Sequence, residues 1–130
     1  MIRCVRLFTD DTGQSDFEEG HLHLEAAQGQ DLATLMDSAR FVSFRETRSG
    51  GSFDWHNAPT FQFVITLKGN LAFESRTGKR FVLHPGDVLL AEDITGGGHR
   101  WRLLDDEPWV RAYVALSADT NADFVPGLHS

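Results

Sequence analysis

At 130 residues and 14.5 kDa the chain has room for one domain of ordinary size. That length excludes a full Rossmann dehydrogenase, a TIM barrel or a kinase, each of which needs more chain. Nineteen Asp+Glu against twelve Lys+Arg leave a formal charge of −7, which argues against a phosphate-neutralising nucleic-acid surface, and 41% hydrophobic residues with ten Phe exclude a disordered segment.

The first expected element is a strand near 2–8, over the apolar run that holds Cys4. As the one cysteine of the chain, Cys4 cannot form an intrachain disulfide, and its setting reads as a small buried hydrophobe. The N-terminus lacks the basic-then-apolar plan of a signal peptide, and no apolar stretch is long enough to span a bilayer. The expected address is the cytoplasm, with no membrane or nucleic-acid partner. A second strand is expected near 20–26, at a sheet edge, with His21 and His23 on one face as solvated side chains. Residues 31–36 could make a helical turn or a loop. Further strands follow near 41–48, 53–56, 60–67, 70–76, 80–84, 87–91, 99–104 and 109–116, punctuated by Ser49-Gly50-Gly51-Ser52, Lys68-Gly69-Asn70, Thr77-Gly78-Lys79, Pro85-Gly86-Asp87 and Thr95-Gly96-Gly97-Gly98. Residues 118–130 read as a tail in which Pro126-Gly127 breaks any regular element, and His84 and His129 carry no signal. Many short strands at regular spacing predict an all-β sandwich or small barrel.

Strand 60–67 separates by parity. Phe61, Phe63, Ile65 and Leu67 make a wholly apolar odd face, expected to lie against a second sheet or a partner chain. Thr60, Gln62, Val64 and Thr66 make a mixed even face that suits a cavity wall. His56 shares the parity of Gln62, and His99 opens a later strand behind three glycines.

Together these residues resemble the cupin superfamily of RmlC-like jelly-roll barrels. The first cupin motif runs Gly, five residues, His, one, His, three or four, Glu, six, Gly; Gly50 and His56 have its first spacing, and Gln62 and Gly69 its last. The second motif opens on Pro-Gly-Asp and closes on a Gly-preceded His, here Pro85-Gly86-Asp87 and His99. The resemblance spans about residues 40–116 and implies a double-stranded β-helix with extra N-terminal strands, in one domain over 1–130. Ala58 stands where the family has its second His, and Gln62 where it has Glu.

Three functional readings stay open, two of them built on the resemblance and the third a structural dimer with a vestigial pocket. In the first, His56, His99 and Gln62 hold a divalent Zn, Ni, Fe or Cu, and the protein is a metal-dependent dioxygenase, isomerase or lyase. In the second, the barrel is a metal-free binding or sensing module for a small acid or sugar-like ligand, with Gln62 holding the tautomers of the two histidines. Trp55, Trp101 and Tyr113 are candidate walls for a planar ligand, with Phe53 beside them. Arg45 is the candidate for fixing a carboxylate, and Arg111 is a second possibility. Adjacent Glu92 and Asp93 point to opposite sides of an extended chain, and Glu92 joins His56 and His99 as a candidate catalytic group. Thr95-Gly96-Gly97-Gly98 could turn its amides inward as an anion nest. Both the odd face of strand 60–67 and the N-terminal run need cover, which predicts a homodimer.

Overall fold

The computed structural model describes residues 1–127; the last three, with His129, lie outside the described residues. Two sheets face each other. The larger contains β1 (Arg3–Thr9), β2 (Ser15–Leu22), β5 (Ala39–Thr47), β7 (Gln62–Lys68), β10 (Val88–Ala91), β12 (Trp109–Leu116) and β13 (Phe124–Pro126), in the order β13-β2-β1-β10-β7-β12-β5. The smaller contains β6 (Ser52–His56), β8 (Leu71–Ser75), β9 (Arg80–Leu83) and β11 (His99–Leu103), in the order β6-β11-β8-β9. Two short strands, β3 (Glu25–Ala26) and β4 (Leu32–Ala33), form a separate hairpin, so residues 31–36 make no helix.

The eight strands β5 to β12 cross back and forth between the sheets. Four of them adjoin as β5-β12-β7-β10 and the other four as β6-β11-β8-β9, every pair antiparallel. This is the jelly roll of two Greek keys. The N-terminal strands extend the larger sheet, β1 lying parallel to β10 and antiparallel to β2. All ten expected segments contain a strand, but β2 starts earlier than expected because the largely polar residues 15–19 pair with Val5–Thr9 across the turn at Asp10–Gln14. β2 is also not an edge: the presumed tail supplies β13, which pairs with it as Phe124↔Leu22 and Val125↔His21. His21 is half-buried there, its Nδ1 against the Gly127 carbonyl at 2.7 Å, whereas His23 is exposed beside Glu25.

The even face of β7 lines the cavity as its mixed pattern suits, and only the odd face departs from expectation. Its even residues Gln62, Val64 and Thr66 are buried and face the second sheet, with Thr66 accepting from Trp109 Nε1 at 3.3 Å. Its odd residues Phe63 and Ile65 are only half-buried, on the outer side, where they pack with Cys4, Leu90, Leu116 and the C-terminal Ala122 and Phe124. The larger sheet therefore has apolar clusters on both faces, and parity alone cannot say which is inner. Cys4 is fully buried in the outer cluster, and burial pushes its thiol up to about 12. The inner cluster holds Val5, Leu7, Leu71, Phe73, Leu83, Leu89 and Trp109. Among the described residues no helix is long and apolar enough to cross a membrane.

Candidate functional site

The barrel encloses a cavity of about 440 Å³, within the range of small-molecule sites. Its polar end is built by neighbouring strands. His56 ends β6 and His99 begins β11, and the two are register partners with ring centres 4.4 Å apart. Gln62 opens β7 on the larger sheet and is 6% exposed, lining the same cavity. The remaining wall is largely aromatic, from Phe73, Trp101, Trp109 and Tyr113.

Each histidine has its orientation set through Nδ1. His56 Nδ1 lies 2.7 Å from the Asp54 carbonyl, which can only accept, so Nδ1 carries the proton and neutral His56 has a bare Nε2. Burial pushes the His56 imidazolium below its ordinary value, and nearby His99 adds to this. His99, 4% exposed, donates from Nδ1 to Asp93 Oδ2 at 2.5 Å, and the Ser15 hydroxyl donates to that same oxygen at 2.6 Å. His99 therefore also has its Nε2 free. Asp93 is fully buried, and its Oδ1 has no partner among the described residues. The tautomers are thus held by the Asp54 carbonyl and by Asp93, not by Gln62.

The Asp93–His99 pair depends on the glycine segment between them. Gly96 and Gly97 pack on the β1–β2 turn, with Gly97 N donating to the Gly13 carbonyl, so these amides do not form an inward anion nest. Gly98 has φ of +78°, and a Cβ there would stand 2.6 Å from the His56 carbonyl oxygen. Gly98→Ala combines a left-handed backbone with a backbone collision and is expected to cost roughly 2–4 kcal/mol. Thermal denaturation checks this; a wild-type midpoint would contradict the close approach.

Glu92 and Trp55 do not take the places expected of them, while Arg45 does line the cavity. Glu92 does not enter the cavity: it pairs with Arg6 on the outer side of the larger sheet, and its neighbour Asp93 takes the inward place. Trp55 lies outside the cavity wall, its ring covered by the guanidinium groups of Arg76 and Arg100 at 4.1 and 4.7 Å. A bulge between β6 and β11 shifts the register there, and Phe53 and His56 line the cavity instead. Arg45 lines it at the mouth, exposed on β5 and 5.3 Å from the Tyr113 ring centre.

The residue that strand parity left undecided is Arg111. It is 3% exposed in the cavity wall, with its guanidinium 3.9 Å from the Trp109 ring centre. Its Nε donates to Tyr113 Oη at 3.1 Å, and Nη1 to Thr47 Oγ1 at 2.7 Å and the Trp109 carbonyl at 3.2 Å. No carboxylate pairs with it among the described residues, whereas Arg3 and Arg6 each engage two. Burial pushes its guanidinium below the ordinary arginine value.

The strand order β5-β12-β7-β10 over β6-β11-β8-β9 closes on a cavity that joins His56 of the first motif to His99 of the second. The chain is a double-stranded β-helix, the jelly roll that its resemblance to the cupins implies. No family model and no curated protein matches it. Among solved structures it is similar to a Cupin_2 domain of an XRE family transcriptional regulator from Enterobacter cloacae, at 14% identity, 90% coverage of this chain, 99% of that one and a TM-score of 0.33. The resemblance to the cupins implies a divalent ion, and this cavity would offer it the two free imidazole nitrogens and the Gln62 side chain. Among the described residues no three His, Cys, Asp or Glu are grouped to hold a metal. Asp93 is committed behind His99, so no carboxylate offsets a dication, and the Arg111 cation faces the same space. This donor set does not fit a resident divalent ion.

Proposed function

We propose that this protein binds a small organic carboxylate inside its barrel, without a resident metal. The observation that carries the reading is Arg111, a buried cation with no acid partner in a cavity wall of otherwise neutral or cationic groups. Burying an unpaired charge costs several kcal/mol, and a ligand carboxylate offsets that cost with a charge-assisted pair. Nη2, which makes no hydrogen bond within the described residues, is the donor left for it. Trp101, Trp109 and Tyr113 suit a planar or apolar body, and His56, His99 and Gln62 a polar far end.

A second reading adds chemistry at that far end. The chain Ser15–Asp93–His99 orients an imidazole with a free Nε2, the arrangement of a general base held in place by the carboxylate behind it. In that reading a C–H bond of the bound carboxylate breaks, its proton passing to His99 Nε2 and its electron pair staying on the ligand, while Arg111 holds the carboxylate in place.

Thermal shift and calorimetry with aromatic and short aliphatic carboxylates, each beside its primary amide, test the binding. A fitting carboxylate at one hundred times its Kd stabilises by about 2.7 kcal/mol, and so raises the midpoint by several degrees, while its amide does not. Equal binding of acids and amides, or no binding of either, overturns the reading. The metal-enzyme alternative with Zn, Ni, Fe or Cu would rest on the two free Nε2 atoms alone, and metal analysis of untagged protein separates the two. Stoichiometric metal lost in His56→Ala and His99→Ala would displace the metal-free reading; metal-free protein whose midpoint ignores added divalent ions supports it.

A further inference from the structure

Arg111 shares the cavity wall with a second cation. Arg45 on β5 is its register partner on the neighbouring strand, and both residues line the cavity. Like charges directly opposite in a sheet repel, and no Asp or Glu lines the cavity among the described residues to offset the pair. Arg45 makes no hydrogen bond or ion pair within those residues, and its guanidinium rests 5.3 Å from the Tyr113 ring centre. The Arg111 guanidinium lies 5.5 Å from the same ring centre. Burial pushes the Arg111 guanidinium below its ordinary value, and the Arg45 charge acts in the same direction.

The donors on this wall separate by depth. Arg111 is 3% exposed, with Nη2 as its uncommitted donor. Beside it, the Tyr113 hydroxyl accepts from Arg111 Nε, which leaves its own proton for another acceptor. A carboxylate has two oxygens, and these two enclosed donors match them. The whole Arg45 fork, exposed at the mouth, is then left for another acid group. A ligand with one negative charge would leave two like charges opposed across β5 and β12, whereas a doubly charged ligand neutralises both.

We propose that the ligand of this cavity is a dicarboxylate, with one carboxylate enclosed against Arg111 and Tyr113 and the other at the mouth against Arg45. The inference rests on the carboxylate reading above and adds the second acid group. Both guanidinium carbons lie within 5.5 Å of one ring centre, so the body between the two acid groups is short.

Calorimetric titration tests this with succinate, glutarate, adipate and isophthalate, each beside its monomethyl and dimethyl esters. The best diacid is expected to bind about tenfold tighter than its monomethyl ester, the lower end for a hydrogen bond to a charged group because the mouth is solvated. The monomethyl ester is in turn expected to bind tighter than the dimethyl ester. In Arg45→Gln, whose folding is checked by circular dichroism, the diacid is expected to lose its advantage over the monomethyl ester. A diacid and monomethyl ester that bind equally, both tighter than the dimethyl ester, would overturn the second acid group and leave the carboxylate reading standing. A diacid that keeps its advantage in Arg45→Gln would also overturn the proposal. A dimethyl ester that binds as well as the diacid, or no binding by any of the set, would overturn the proposal and the carboxylate reading together.

Discussion

Arg111→Met is expected to weaken carboxylate binding by roughly 10- to 150-fold while changing folding stability by less than about 1 kcal/mol. The first number follows from the strength of a hydrogen bond to a charged group, about 1.5–3 kcal/mol, at about 1.4 kcal/mol for each tenfold in affinity. The second follows from opposing contributions. Methionine removes the donors to Tyr113, Thr47 and the Trp109 carbonyl, which disfavours the fold. It also relieves the desolvation of an unpaired cation and keeps an apolar stem against Trp109. Calorimetric titration of the best carboxylate, with denaturant unfolding of the same two proteins, checks both halves. An unchanged affinity would remove Arg111 from the ligand site. A large loss of stability would mean that its hydrogen bonds, not a ligand, explain its burial.

Trp109→Ala is expected to cost about 3–5 kcal/mol, the range for removing a buried aromatic side chain. Trp109 is 2% exposed, meets Trp101 edge-on at 4.7 Å and Phe73 edge-on at 6.1 Å, and donates Nε1 to the buried Thr66 hydroxyl. Alanine leaves a cavity continuous with the ligand space, deprives Thr66 of its donor and removes the ring beneath Arg111. Against the ~5–15 kcal/mol total of a typical domain this is a large fraction, and the variant is expected to unfold at much lower urea with an unchanged slope. Trp109→Phe, which keeps the packing and loses the N–H, is expected to fall between. A cost below about 1 kcal/mol for the alanine variant would mean that the ring is not a core element.

Local chemistry determined much of the fold. Short apolar runs alternating with Gly-centred turns predict β5 to β12 to within about two residues at each end, because hairpin corners need the backbone freedom of glycine and pleated surfaces select Phe, Val and Ile. Matched to the cupin motifs, Gly50, His56, Gln62 and Gly69 with Pro85-Gly86-Asp87 and His99 implied two histidines and a glutamine in one barrel; all three line the cavity, His56 and His99 as cross-strand partners on the smaller sheet and Gln62 on the larger.

What tertiary structure alone decided is which of two equivalent neighbours faces inward. Glu92 and Asp93 are adjacent acids, and only the burial of Ser15 and His99 on one side of them selects Asp93. Arg45 and Arg111 are register partners on adjacent strands of one sheet, yet β5 is an edge and β12 is central, so one guanidinium reaches the mouth and the other is enclosed. β13 was illegible because a three-residue strand has too little periodicity to read, and it exists through its pairing with β2. Sequence alternation determined that each strand has two faces; long-range packing determined which face is inside, because that depends on residues the strand meets only after folding.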